Sequence, residues 1–315
     1  MPAQREPTGE SEFDGRVVAA FGRHLLIRDV AGRVLPARPF GRRLTVVCGD
    51  EVRCALDSHH AEAHVVQVHA RRTCLYRSSG RGGSEPVFAN VALLFVALAP
   101  LPAPDYFVID RYLCAAASGG IAAMLILNKR ELAGDAALAG ALAAYASAGY
   151  RTLECSARAG AGIDTLLEAC AGQIAALVGQ SGVGKSSLVR RLVPAAEIEV
   201  GGLMRETEGR HTTTTSRLYD LEGGGHLIDS PGVRDFAPSL EYLERRSLGF
   251  PEVERLATAC RFADCLHLRE PHCAVRAAAE SGALHPRRYE SYRRLRRLYE
   301  EERANRTSSG RAPRR

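Results

Sequence analysis

The sequence predicts an α/β fold that begins with a small OB-like β-barrel and ends in a helical segment. Three observations carry this reading. Five short β-like runs crowd into the first quarter of the chain. Beyond them, apolar runs alternate with Ala-rich stretches. Among these lies a glycine-rich loop of phosphate-binding form. At 315 residues the chain exceeds the ~100–200 typical of one domain, so several units are expected.

Residues 1–12 are polar and are expected to be disordered. Residues 13–76 hold the runs GRVVAA, HLLIRDV, RVLPARP, RLTVVCGDEVRCAL and AHVVQVHA, with DVAGR and VCGDE as turn signals. Five strands in so short a stretch suggest a barrel: an OB-fold, a common nucleic-acid binder, or an SH3-like barrel with a structural role. RSSGRGGSEP (77–86) reads as a linker or mobile loop. Over 87–237, the runs VALLFVAL, IAAMLIL, RTLEC, IAALV and HLID are apolar on both faces and alternate with helix-like stretches such as Ala136–Ala148. That pattern implies a parallel sheet covered on both sides. Residues 238–300 are helical around a Cys/His cluster, and 301–315 form a basic tail expected to be disordered.

Composition narrows the function classes. The first residues lack the basic start and apolar core of a secretory signal. The longest apolar run, Val91–Leu101, is about half of the ~20 residues a bilayer span needs. Nine cysteines, an odd number scattered along the chain, argue for a reducing compartment with metal use rather than a disulfide framework, so a cytoplasmic protein is expected. The 42 basic and 36 acidic residues give +6, and only Lys129 and Lys185 are lysines. From Arg287 to Arg315, 11 arginines face four glutamates, so a cationic end is attached to a near-neutral body.

Gly179-Gln180-Ser181-Gly182-Val183-Gly184-Lys185-Ser186-Ser187 fits G-x-x-x-x-G-K-[ST] between the strand IAALV and a helix-like SLVRRLV. Glycines let backbone N–H groups converge on phosphates at a helix N-terminus. Lys185 would reach the terminal phosphates, and Ser186 would offer its hydroxyl to Mg²⁺. Asn128-Lys129-Arg130-Glu131 follows another apolar run and matches a guanine-reading Asn-Lys-x-Asp, with Glu131 in place of Asp. In that motif Asn meets the purine edge, the Lys stem lies over the ring, and the carboxylate accepts from guanine N1–H and the 2-amino group. Ser156-Ala157, after the next strand, would back guanine O6. Asp229-Ser-Pro-Gly232 ends the HLID run: Asp229 would hold Mg²⁺ through water, and the Gly232 N–H would face the terminal phosphate. In Gly209-Arg-His211-Thr-Thr-Thr-Thr215, Thr213 or Thr214 would complete the Mg²⁺ shell. The base-reading elements precede the phosphate loop instead of following it, so the set is complete but circularly permuted.

Cys260-x₄-Cys265-x-His267-x₅-Cys273 offers three thiolates and an imidazole, a closed set suited to structural Zn²⁺. His272 is a rival fourth ligand. His267 is preferred, because adjacent residues rarely bind one ion and Cys273 is already a candidate. The other six cysteines have no ligand spacing and read as core thiols.

The barrel, the permuted phosphate-loop elements and the C-x₄-C-x-H-x₅-C cluster together resemble the ribosome small-subunit-dependent GTPase A (RsgA/YjeQ) family from about residue 13 to 300. The shared segments include VVCGDEV, NKREL, GQSGVGKSSL, GRHTTTT and LIDSPGVRDF. The resemblance implies a circularly permuted GTPase that binds GTP with Mg²⁺ and carries one structural Zn²⁺. It implies a late assembly checkpoint on the 30S subunit and its 16S rRNA near the decoding region, and a monomer with no membrane partner. Guanine contacts then fall to Asn128, Lys129 and Glu131, with Glu131 departing from the family's usual Asp.

Val233 stands where Ras-like enzymes carry a water-positioning Gln, so slow intrinsic hydrolysis and activation by the ribosome are expected. His211 is the candidate for the missing element. A P-loop ATPase or kinase, and an RNA-binding scaffold with little hydrolysis, are the alternatives at this stage.

Overall fold

The computed structural model describes residues 12–41, 44–57, 62–79, 83–194, 215–229, 239 and 241–308, and the statements below concern these. Five strands close the N-terminal barrel: β1 (Glu12–Phe21), β2 (His24–Asp29), β3 (Val34–Pro39), β4 (Glu51–Asp57) and β5 (Glu62–Val68). Their order is β1-β2-β3-β5-β4, with β4 returning to β1 and β3 parallel to β5. This Greek-key closure is OB-like and removes the SH3-like alternative. Within the barrel β1 serves two partners along its 10 residues: Glu12–Arg16 pair with β4, and Gly15–Phe21 pair with β2 across an irregularity at Val17/Ala19. Inward-facing Val17, Leu25, Ile27, Val52, Cys54, Ala63 and Val65 fill the barrel.

Residues 77–79 and 83–86, within the stretch expected as a linker or mobile loop, lie instead in paired strands β6 (Cys74–Ser79) and β7 (Gly83–Ala89). Their polar composition is misleading because cross-strand pairing and neighbouring elements hold them. Ser84 Oγ donates to Glu241 Oε2 at 2.6 Å, and the Tyr76 and Tyr242 rings lie 4.3 Å apart.

The second unit is a sheet of parallel strands β8 (Leu93–Leu98), β9 (Ala122–Leu127), β10 (Arg151–Glu154), β11 (Ile174–Gly179) and β13 (His226–Asp229), with β12 (Thr215–Asp220) antiparallel to β13. All six residues of β8 and of β11 are buried. Alternation splits β8 between two cores. Leu94, Val96 and Leu98 meet Ile109, Tyr112 and Leu113 of α1 (Tyr106–Ser118) and Leu138 and Tyr145 of α2 (Ala136–Ala148). Leu93, Phe95 and Ala97 meet Leu166 and Cys170 of α3 (Ile163–Cys170) and Leu188 and Leu192 of α4 (Lys185–Leu192). Each fully buried Leu or Phe contributes ~1.5–3 kcal/mol, which accounts for the continuous apolar runs. Asp105 caps α1, accepting from the Phe107 and Val108 N–H groups at 3.0 and 3.2 Å.

Barrel and parallel sheet are continuous. Ala19–Phe21 of β1 pair with Thr215–Arg217 of β12, giving an 11-stranded sheet. The Arg28–Asp220 ion pair at 2.7 Å reinforces the seam.

The C-terminal part comprises α5 (Pro251–Ala257), α6 (Ala274–Glu280) and α7 (Pro286–Ser308) around Leu248, Phe250, Val253, Val275, Tyr292 and Leu295. The helix α7 continues to Ser308, into the stretch expected to be a disordered tail. Several of its arginines turn inward. Arg288 is 1% exposed and pairs with Asp110 and, at 2.6 Å, with Glu252. Half-buried Arg287 lies 4.4 Å over Tyr106 and buried Arg296 donates to the Arg246 carbonyl at 3.1 Å, whereas exposed Arg294 lies 3.9 Å over Phe107. The cationic end is therefore partly an internal fastening, because buried guanidinium groups meet the carboxylates, rings and carbonyls of neighbouring elements. No described helix is long and apolar enough to cross a membrane.

Candidate nucleotide site and metal cluster

The parallel strands deliver their C-terminal ends to one edge, where ligands bind in open α/β sheets. The strand order reverses between β8 and β11, and the phosphate loop leaves β11 at that point. Gly179 has φ 142°, and a Cβ there would collide with the Ala97 carbonyl of β8. Gly184, φ 95°, precedes α4, and a Cβ there would strike the Asn128 amide. Glycine is thus required where the loop passes closest to its neighbours.

Asn128 ties the purine-side loop to the phosphate loop. It is 1% exposed, its Nδ2 donates to Val183 O at 2.9 Å, and its Oδ1 accepts from Ala157 N–H at 3.0 Å. Lys129 holds a left-handed backbone, φ 62°, which costs an L-residue about 1–2 kcal/mol. Its Nζ donates to Leu101 O and Gly182 O, both at 2.8 Å. Arg130 N–H donates to Cys155 O at 3.0 Å, and its guanidinium reaches Glu154 at 3.5 Å. The Ser156 side chain, by hydrogen bonding, lowers the pKa of exposed Glu131 below its usual 4.5, keeping it a carboxylate. Ser156 and Ala157 are buried, and Ser156 Oγ accepts from Ala159 N–H at 3.0 Å. Burial pushes the neighbouring Cys155 thiol up to about 12, so it stays an inert core group.

Lys185 Nζ donates to Gly179 O and Gln180 O, each at 2.7 Å. Ser181, Gly182, Ser186 and Ser187 face outward, while Val183 is fully buried. Asp229 ends β13 in register with Leu177 of β11, on the same edge as the phosphate loop. His211, Thr213, Thr214 and Gly232 lie outside the described residues.

Two contacts had no signal in the sequence. Gln180 accepts from Asp105 N–H at 2.8 Å, joining residues 75 apart. Arg191, in the last turn of α4, donates to the Ala157 and Arg158 carbonyls at 2.9 and 3.1 Å. Spacing rules see neither, because the partners lie on different elements.

This arrangement places a phosphate loop and a purine-type loop side by side on one sheet edge. A model of the RsgA GTPase family matches residues 68–238. A relative from Azotobacter vinelandii, "Small ribosomal subunit biogenesis GTPase RsgA", is 42% identical over 294 residues, covering 90% of this chain and 85% of its own.

The chain belongs to the RsgA GTPase family.

It is accordingly a GTP hydrolase. A relative of the same description from Pseudomonas aeruginosa is 40% identical over 288 residues, with the same coverage of 90% and 85%. Among solved structures, YjeQ from Thermotoga maritima superimposes with TM-score 0.69 at 24% identity, covering 92% of this chain and 99% of that one. YloQ, described as a circularly permuted GTPase, gives 0.67 at 23% identity, covering 95% and 98%. These two matches speak for the fold alone, and they agree with the permuted order read from the sequence.

The second cluster lies in the C-terminal part. The ligand atoms of Cys260, Cys265, His267 and Cys273 all fall within 4.8 Å of one another. His267 Nδ1 stands 3.5 Å from both Cys260 Sγ and Cys273 Sγ, and the latter two are 4.0 Å apart. A tetrahedral site with metal–sulfur bonds of about 2.3 Å has edges of about 3.8 Å, so the donor set fits a metal ion of that kind. Burial pushes the Cys265 thiol up to about 12 and His267 down to about 4, so the pocket favours neutral groups until a cation stabilises thiolates. His267 is fully buried, whereas His272 is exposed and outside the cluster. The other six cysteines are buried and free, as expected of core thiols.

A cleft of ≈ 600 Å³ between the barrel and β12–β13 is lined by Arg16, Arg28, His69 and His226. Its charges are matched internally, including Arg16–Glu51 at 3.0 Å and His226–Asp220 at 2.8 Å, so it is a seam between units rather than a reactive site.

Proposed function

We propose that this GTPase acts in assembly of the small ribosomal subunit, binding the 30S particle and its 16S rRNA as a cytoplasmic monomer and leaving after hydrolysis of GTP to GDP and phosphate. The observation that carries the reading is the Asn128 bridge between Val183 and Ala157, which makes the purine loop and the phosphate loop one rigid crevice. In it, Asn128, Lys129 and Glu131 would hold guanine while Ser156 and Ala157 back its O6. Gly179–Ser187 would cradle the phosphates, Lys185 would neutralise charge building on the transferred group, and Gly232 would face the terminal phosphate. Mg²⁺ would be held by Ser186, Thr213 or Thr214 and Asp229, and would supply positive charge against the phosphates. His211 is the candidate for orienting water once the ribosome is bound.

The Cys260–Cys265–His267–Cys273 set would hold one structural Zn²⁺, which a metal analysis returning one zinc per chain checks. The decisive assay is phosphate release from GTP and ATP, with and without 30S subunits. The expected result is slow release from GTP, little from ATP, and at least a tenfold rise on adding 30S, a lower bound beside the ~10³–10⁵ a supplied activating residue can give. Fast hydrolysis by the isolated chain would remove the activation step. Binding to 30S with no stimulated release would favour a scaffold.

A further inference from the structure

Loop 156–158 is held from two sides. On the inner side, Asn128 Oδ1 accepts the Ala157 N–H at 3.0 Å. On the outer side, Arg191 donates from Nε to the Ala157 carbonyl at 2.9 Å and from Nη2 to the Arg158 carbonyl at 3.1 Å. A guanidinium is suited to this, since its rigid fork engages two successive carbonyls at once. In a planar trans peptide, the C=O of one residue and the N–H of the next point in opposite directions. Holding the Ala157 carbonyl outward therefore directs the Arg158 N–H inward. Arg191 lies six residues after Lys185, about 9 Å along the same helix at 1.5 Å per residue. The helix that begins at the phosphates thus ends by orienting the purine loop.

Resting on the reading of the crevice as a guanine site, we propose that Arg191 is a positioning residue for base recognition. It touches no part of the nucleotide. It fixes the peptide linking residues 157 and 158 so that the Arg158 N–H faces a 6-oxo purine, the Ala157 N–H being held by Asn128. Removing Arg191 frees the Ala157 and Arg158 carbonyls, while the Asn128 contact at the Ala157 N–H and the Ser156 contact at the Ala159 N–H remain. The effect of that removal must then be specific to purines carrying O6. A role confined to stabilising α4, where a cation favours the helix C-terminus, would weaken every nucleotide alike.

The test compares dissociation constants of the full chain for GDP and for 2-aminopurine riboside 5′-diphosphate, which lacks O6. The wild type is expected to prefer GDP. Arg191→Ala should cut that preference about five- to tenfold, the scale of one to two lost hydrogen bonds. Its affinity for the analogue should stay within about twofold, since the phosphate contacts remain. Arg191→Lys, which keeps one donor group, should recover part of the preference. Should Arg191→Ala fail to fold, Arg191→Gln carries the same comparison, with an intermediate ratio expected. Equal loss for both ligands, or an unchanged ratio, overturns the proposal while leaving the guanine site standing. A wild type that binds both ligands equally overturns the guanine reading, and this proposal with it.

Discussion

The nucleotide crevice and the fastening of helix α7 both bury polar groups, and they satisfy them in opposite ways. In the crevice, two lysines donate to backbone carbonyls. Lys185 bonds to the Gly179 and Gln180 carbonyls, and Lys129 bonds to those of Leu101 and Gly182. At the fastening, charge meets charge: Arg288 sits between Asp110 and Glu252, beneath the rings of Tyr145 and Phe250. Burial alone would lower the Arg288 pKa, but the two carboxylates more than offset it and hold it well above its ordinary value. An ammonium held by carbonyls remains available to a stronger anionic partner. A guanidinium locked between carboxylates does not. The comparison separates a place built to receive a ligand from one built to stay closed.

A crossed pair of substitutions can break it. Arg288→Ala leaves buried Glu252 without its cation and takes one of two from Asp110, and should cost about 3–5 kcal/mol, read by urea or thermal unfolding. Lys185→Ala should lower GTP turnover by about a hundredfold or more while leaving the unfolding midpoint near that of the wild type. If Arg288→Ala proves as stable as the parent, or Lys185→Ala unfolds as readily as Arg288→Ala, the distinction fails.

A smaller effect sharpens the crevice side. Hydrogen bonding from Ser156 holds the Glu131 pKa below 4.5, so its carboxylate remains charged under mild acid. A contribution from this group is present above the ordinary value and is lost as pH falls through the lowered one. Preference for GDP over IDP, which lacks the 2-amino group, should therefore stay level down to the ordinary carboxylate range and decline only below it. Ser156→Ala should move that decline upward, with a change of about threefold to tenfold at the affected pH. A decline centred at or above 4.5 in the wild type would remove Glu131's special environment.

Local chemistry made much of the molecule legible. The helix Ala136–Ala148 has the limits read from its composition, because Asp135 caps one end and Gly149, φ 103°, closes the other. Strands β8 and β11 were visible as apolar runs because both their faces are covered. Residues 77–86 were read as a linker or mobile loop because the partners of strands β6 and β7 include Ser239, Glu241 and Tyr242, far along the chain. The arginines of α7 read as a cationic end attached to a near-neutral body. Charge counts do not reveal that Asp110, 178 residues from Arg288, lies against them.

The sequence by itself marked the candidate phosphate loop, the candidate purine-reading residues and the thiols that the structure brings within 4.8 Å of one another. Those assignments depend on residue type and short spacing, and the physics of a loop or a helix turn is local. Only the tertiary structure decided between His267 and His272, joined the barrel to the parallel sheet through β1 and β12, and placed Arg191 behind Ala157. Each of these depends on two distant segments arriving at the same place. Packing of the whole core decides that arrival, through contacts that no local pattern encodes.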